Sequence, residues 1–365
     1  MKKLIFKHFF LDASKFFIIS LFIFGLIVWT IQAVNYFDFV TQDGHGLSIY
    51  FLYTLLNFPK VIHRLFEFIF FLSLFYVIIS YQIRNELSIF WINGINKIQF
   101  VNKLILFSII LIVIQIFIGS YLSPAAQFKA REYLRNSNID FFSSLIKVGK
   151  FINIAKGVTI FIDKEDTDKN FYNIFIEDNR NNQRMIYSKK GFLLKQDKIK
   201  KFKLIEGQII NYENSKVSIF SFDEIDLNLT DLDTITISAP KIQEINSAIL
   251  INCLINRKSV SEIFNCDEKI YLEVKKELYK RFFKPIYLPL IALLCGFLFL
   301  KSHLKVGYNT YRNYLFFLIF STILFSEVSI KYISSSNVIG FVTMVIPLLI
   351  FILSYLIFMR LNKNV

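Results

Sequence analysis

Six runs of apolar residues, each near the length a helix needs to cross a bilayer, are split three and three by a long polar interval in this 365-residue chain. A hydrocarbon layer about 30 Å thick takes about 20 helical residues. The candidate spans are Phe16–Tyr36, Leu65–Tyr81, Leu104–Leu122, Phe282–Leu300, Tyr314–Ile330 and Val338–Met359. With 54% hydrophobic and 17% aromatic residues, the chain is far more apolar than a soluble domain of this length. The roughly 160 residues from Pro124 to about Arg281, rich in Lys, Asp, Asn and Glu, cannot lie in hydrocarbon. The expected fold is therefore a membrane α-helical protein with six transmembrane helices and an inserted polar domain.

Charge placement orients it. Of the basic residues flanking the spans, twelve fall on one side: Lys2, Lys3, Lys7, Lys15, Arg84, Lys97, Lys103, Lys301, Lys305, Arg312, Arg360 and Lys363. Only Lys60, Arg64 and Lys331 fall on the other. The positive-inside rule then predicts cytoplasmic termini and an exported polar domain. The formal charge of +14 follows from this placement and needs no nucleic acid to explain it. Lys2 and Lys3 ahead of an apolar run resemble a signal peptide, but Ile31 stands where a small residue is wanted before Ala33, so the first helix is read as uncleaved.

The polar interval alternates as strands do. "GVTIFID" puts Val158, Ile160 and Ile162 on one face, "FYNIFIED" does so with Tyr172, Ile174 and Ile176, and "KVSIFSF" with Val217, Ile219 and Ser221. Turn-rich clusters "DKEDTDKN", "DNRNNQ", "EGQ" and "YENS" separate the strands, which predicts a β-sandwich, jelly roll or open barrel. Asp163, Glu165, Asp166 and Asp168 lack the glycine and terminal glutamate of a calcium loop and read as a solvated hairpin tip. A helical return segment with the amphipathic "YLEVKKELYKRF" leads to the fourth span. Cys253 and Cys266 fall in the exported part, where a disulfide is allowed, although two unpaired thiols are the simpler reading. His8, His45, His63 and His303 are scattered, and no metal site is expected.

One polar stretch between two spans needs explaining. In "RNELSIFWINGINKIQF", Ile83, Leu87, Phe90, Trp91, Gly94 and Ile98 recur at helical spacing, with Arg84, Ser88, Asn93 and Lys97 off the stripe. An interfacial helix over about 84–98, its aromatic side in the headgroups, is predicted. Here the residues become familiar: "ELSIFWINGINKIQF" resembles the corresponding segment of the LptF/LptG family of lipopolysaccharide export permeases. The likeness covers nearly the whole chain. "WTIQAVNYFDFVTQDGHGLSIYFLYTLLNFPKVI" is similar to the first helix and following turn of the LptF branch, with Gln32, Gly46 and Pro59 in matching places. "YLSPAAQFKAREYLR", "KGVTIFIDKED", "NIFIEDNRN" and "ELYKRFFKPIYLPLIALLCGF" resemble the third-span exit, two strands of the exported domain and the approach to the fourth span.

The resemblance implies three parts: residues 1–123, helices one to three with a cytoplasmic coupling helix; 124–281, a periplasmic all-β, jelly-roll-like domain with its return segment; and 282–365, helices four to six. It also implies an inner-membrane subunit of an ABC transporter in a Gram-negative cell. Its partners would be an LptB-like ATPase dimer, an LptG-like second permease and an LptC-like protein, and its substrate lipopolysaccharide. Arg84, Glu86, Leu87, Phe90, Trp91 and Gly94 would form the ATPase-coupling element, with Glu86 making a charged contact and Gly94 letting the backbone turn. The chain has no Gly-x-x-x-x-Gly-Lys-Ser/Thr, so no catalytic residues or cofactor are assigned to it, and ATP with Mg would bind the partner.

Lys60 and Arg64, one turn apart, and Lys331 sit at the far face and suit lipid phosphates; anchoring at the interface is the alternative. Glu67 and Glu327 fall within apolar spans, where ionisable groups usually face an interior path; pairing within their own helices, Arg64 with Glu67 and Glu327 with Lys331, is the structural alternative. Members of the family it resembles often carry a second proline where this chain has Arg64, Leu65, Phe66 and Glu67, so the bend there is lost or made otherwise. Ile160, Ile162, Ile174 and Ile176 would line an acyl-chain groove or form an ordinary sheet core. Other readings are a permease for another lipid or lipoprotein, a lipid-modifying enzyme using Glu67 or Glu327, and a sensor or scaffold. The three-domain-three order, the scattered histidines and the short cytoplasmic loops speak against them in turn.

Overall fold

A computed structural model describes residues 2–37, 46–145, 148–155, 157–166, 170–179, 183–196, 199–213, 216–228, 241–256, 266, 268–333 and 337–363. Asp168 and His45, singled out above, lie outside them. The chain divides into two units, one of residues 1–34, 55–128 and 241–365, the other of 35–54 and 129–240.

The helical elements in chain order are α1 (Lys2–Asn35), α2 (Leu47–Leu56), α3 (Phe58–Ile83), α4 (Glu86–Ile92), α5 (Lys97–Phe117), α6 (Ser123–Leu145), α7 (Ser247–Asn256), α8 (Glu268–Leu278), α9 (Tyr287–Gly296), α10 (Tyr308–Tyr332) and α11 (Asn337–Lys363). Among the described residues, six helical segments are long and apolar enough to cross a membrane: Lys3–Asn35, Leu47–Ile83, Lys97–Leu134, Ile270–Leu300, Tyr308–Tyr332 and Val338–Lys363. The fourth is broken at its approach by a π-turn, Tyr279–Phe283, and a 3₁₀ turn, Lys284–Ile286.

The helical unit is built around α9. Nine of its ten residues are buried, Pro289 alone being partly open, so it is a helix apolar all round and covered on every side. Gly296 sits so close to α5 that an added Cβ would come within 2.7 Å of Val101 Cγ2. Lipid tails are as apolar as Phe, so water expulsion does little to bring such helices together. Close ring packing does more: Phe9, Phe90, Phe299 and Phe100 meet edge on, with centroids 4.8–5.1 Å from Phe100. Polar fasteners supply the rest.

In the second unit six antiparallel strands follow one another in order: β1 (Phe151–Ala155), β2 (Val158–Glu165), β3 (Asn170–Asp178), β4 (Gln183–Gln196), β5 (Ile199–Glu213) and β6 (Lys216–Asn228). Val158, Ile160, Ile162, Phe171, Ile174, Ile176, Ile186, Phe202, Leu204 and Ile209 form its core. Tyr172 is not on that face, contrary to the expected alternation; Phe171 is, because Asn173 takes a left-handed φ of 52° and resets the pleat. The same step recurs on neighbouring strands. Asp163, Asn173, Lys189, Glu206 and Asp223 stand level with one another, and the ladder skips them in every pairing. Inward positions there advance by three, from Phe171 to Ile174, Ser188 to Gly191, Leu204 to Gly207 and Phe222 to Ile225. Glu206, also left-handed at 52°, is held by Lys189 at 3.0 Å, whose hydrogen bond and charge keep its carboxyl below the ordinary range. "EGQ" is thus a crease inside β5 and not a turn between strands. Val217 and Ile219 of β6 share a face, but it is exposed.

Candidate functional site

Two polar clusters mark opposite ends of α3. At its last residues the chain turns sharply. Asn85, left-handed at φ 58°, ends α3 and starts α4, a helix of only seven residues. It stops in a Schellman arrangement, in which the Ile95 N–H donates to Phe90 O at 3.1 Å and the Gly94 N–H to Trp91 O at 3.0 Å, with Gly94 at φ 70°. The continuous helix expected over 84–98 is therefore a turn, a short helix and a second turn, and Ile98 already belongs to α5. Its apolar side faces the bundle and not the headgroups: Leu87, Phe90 and Ile95 are buried in the main core. Ile89, Ile92, Ser88 and Asn93 face outward.

Glu86 is bridged by Arg84 at 3.2 Å, and Arg84 lies over the Tyr81 ring, 5.4 Å from its centroid. The Tyr81 hydroxyl donates to Asp12 Oδ2 at 2.6 Å, and His8 Nδ1 lies 3.0 Å from the same hydroxyl and 3.2 Å from that carboxylate. The first turn of α4 is thus tied through Tyr81 to α1. Gln82 ties the same corner to the second half of the chain: its amide donates to Leu298 O at 2.8 Å, and it accepts from the Tyr308 hydroxyl.

At the other end, Glu67 is buried in α3 and accepts from Gln115 of α5 at 3.4 Å and Ser326 of α10 at 3.3 Å. Lys284, also buried, places Nζ 3.9 Å from Glu67 and in direct contact with Glu327. Neither acid takes the basic partner on its own helix that sequence spacing offered. One buried ammonium, from the break before α9, serves both, and the half-exposed Glu327 is the outer member. Beside it Arg281, 1% exposed, donates to Glu277 at 3.1 Å, Ile245 O and Ser247 Oγ at 2.9 Å and Gln243 O at 3.0 Å. Ser247 in turn donates to Ser120 O at 2.9 Å. Lys60 lies within electrostatic reach of Arg64, Lys241, Glu244 and Glu277, while Arg64 and Lys331 are exposed.

Gly119 stands in the π-turn Ile118–Leu122, where any Cβ would collide with the His63 ring. Cys253 and Cys266 are joined in a disulfide, Cα to Cα 6.0 Å, pinning α7 to the start of α8, where the simpler sequence reading left them unpaired. Ile160, Ile162, Ile174 and Ile176 are 0–6% exposed in the sheet core. Lys284, Arg281, Gln115, Ser326, Asp12, Tyr81 and Gln82 were not singled out from the sequence. Only Lys284 carried a usable signal, an ammonium inside an apolar span that must find a partner.

Against known proteins, the family model described as lipopolysaccharide export system permease LptF/LptG matches residues 7–361. The chain is also 22% identical over 332 residues to RP871 of Rickettsia prowazekii (strain Madrid E), described as an uncharacterized protein; the match spans 90% of this chain and 88% of that one.

Proposed function

Because the chain belongs to the LptF/LptG family of lipopolysaccharide export permeases, we propose that it is one of two paired permease subunits through which a separate ATPase dimer drives lipopolysaccharide out of the inner membrane. The observation that carries this is the build of α4. A seven-residue helix, clamped at both ends and wedged by Leu87 and Phe90 into the main core, is a lever: a push on its outer side reaches α1 through Tyr81 and Asp12, and the 3₁₀ extension of α9, Phe297–Leu300, through Trp91 and Phe299. ATP and Mg belong to the partner, since the chain holds no nucleotide-binding loop of its own. Glu86, presented by Arg84, is the charged contact; an LptG-like permease and an LptC-like protein complete the assembly.

The α4 end is cytoplasmic and the sheet periplasmic on the charge count, and a disulfide at Cys253–Cys266 suits the oxidising side. There Lys60, Arg64 and Lys331 meet the lipid phosphates, while Glu67 and Glu327 act on the substrate path by holding Lys284. Acyl chains pass over the sheet at the partly open Ile152, Phe222, Ile225 and Leu227, which border the buried isoleucines. The similarity of the first helix favours the LptF role.

The test is gentle solubilisation of native membranes, capture of the tagged chain and mass spectrometry of its companions, for wild type and Glu86→Arg. An ABC ATPase and a second six-span permease should accompany wild type, with the ATPase alone lost from the variant. Absence of any ATPase under conditions that preserve other transporters would remove the energy source and sink the proposal.

A further inference from the structure

Among the described residues the most exposed large apolar side chains are Val306 at 97%, Ile92 at 85% and Leu304 at 80%. None of the three is on a membrane-spanning segment. Ile92 ends α4, and the other two lie in the turn at 301–307 that joins α9 and its 3₁₀ extension to α10. That turn is built to hold its shape. The Lys305 N–H donates to Ser302 O at 3.1 Å, the Tyr308 N–H to Lys305 O at 3.2 Å, and Gly307 supplies a left-handed φ of 78°. Both feet stand on Gln82, which binds Leu298 O and Lys301 O on one side and the Tyr308 hydroxyl on the other. Gln82 is followed two residues later by the Arg84 that presents Glu86, so the turn and α4 share one support. Their flanks are close: Trp91 of α4 meets Phe299, just ahead of the turn, at 6.0 Å, and Lys97, at the start of α5, lies within electrostatic reach of Lys305 in the turn.

The charges around the exposed pair have one sign. From Phe297 to Arg312 the chain carries Lys301, His303, Lys305 and Arg312 and no acid. We propose that the 301–307 turn and the outer tip of α4 form one continuous docking surface, and that its occupant is the ATPase, which meets it with an apolar pocket rimmed by carboxylates. The turn is thus a second point of attachment for the partner assigned to α4, and the inference rests on that assignment. A membrane anchor is the competing occupant. Against it, the turn holds Leu304 and Val306 in fixed places on the Gln82 support that it shares with α4, the helix that carries Ile92 and that the partner must engage; a lipid surface needs no such fixed geometry. Paired contacts on a preformed surface also resist being levered apart better than one helix alone.

The experiment uses the complex in native membranes with single-cysteine variants I92C, L304C and V306C. Of the natural cysteines, Cys295 is buried and the other two are bonded, so each new thiol is the reactive one. A short thiol-to-amine crosslinker, with mass spectrometry of the products, should join all three to the ATPase. If I92C joins the ATPase while L304C and V306C do not, the proposal is overturned, and quenching by brominated lipid of a fluorophore attached at those two thiols would show the turn to be a membrane anchor. If none of the three joins an ATPase, the assignment of α4 fails and takes the proposal with it. In a separate arm, L304D with V306D should lower the ATPase recovered with the tagged chain about tenfold or more, as loss of buried apolar anchors does, with the second permease still present. Recovery at the wild-type level would also overturn it.

Discussion

Replacing Lys284 should harm the protein far more than replacing the glutamate it faces. Its side chain is 8% exposed and that of Glu67 3%. Lys284→Met leaves Glu67 buried with only the Gln115 amide and the Ser326 hydroxyl, and leaves Glu327 without its contact. Removing one partner of a buried ion pair costs about 3–5 kcal/mol, and at about 2–4 °C per kcal/mol the apparent melting midpoint should fall by about 6–20 °C. Glu67→Gln is milder. The amide still reaches Ser326 and Gln115, and Lys284 keeps Glu327, so the loss is that of one charged hydrogen-bonding group, about 1–3 kcal/mol. The double variant should melt above Lys284→Met alone, since it no longer buries a lone carboxylate. The assay is thermal unfolding of the purified chain in lipid nanodiscs. Equal losses for the two single variants, or a double variant whose loss is the sum of both, would refute the reading of Lys284 as the shared counter-charge.

Two further outcomes follow from close contacts. Gly119→Ala should lower the unfolding midpoint through a clash costing about 1–3 kcal/mol, and adding His63→Ala should restore part of it, as the same assay would show. Cys253→Ser should cost about 3 kcal/mol, the loop-closure value for a bridge between residues 13 apart. Alkylation of unfolded, unreduced protein should find one free thiol in the native chain, Cys295, and two in the variant; three in the native chain would mean that no bridge forms.

The membrane-spanning frame was legible because about 20 consecutive apolar residues leave a chain few alternatives. Strand patterns were legible only between interruptions. "GVTIFID" keeps its alternation and was read correctly, whereas "FYNIFIED" contains Asn173, whose left-handed backbone moves Phe171 inward in place of Tyr172. Period-two reasoning assumes an unbroken pleat. β4 and β5 were not singled out as strands, since Lys189 and Glu206 break their alternation midway and "EGQ" has the composition of a turn. The short helix was located but overextended, because apolar stripe residues at Gly94 and Ile98 continue the period past the point where the backbone turns. Spacing along one helix offered Arg64 to Glu67 and Lys331 to Glu327; the ammonium the structure uses comes from Lys284, distant in sequence and hidden at the edge of a span.

The level row through Asp163, Asn173, Lys189, Glu206 and Asp223 has a consequence for how such a sheet can change over generations. β3 to β6 each shift their inward face at that row, and these neighbours stay matched only because they shift together. A one-residue deletion on either side of the row in a single strand would invert every side chain beyond it relative to both neighbours. Length changes in this domain should therefore accumulate at the hairpin ends, while the five residues of the row keep their spacing as a set.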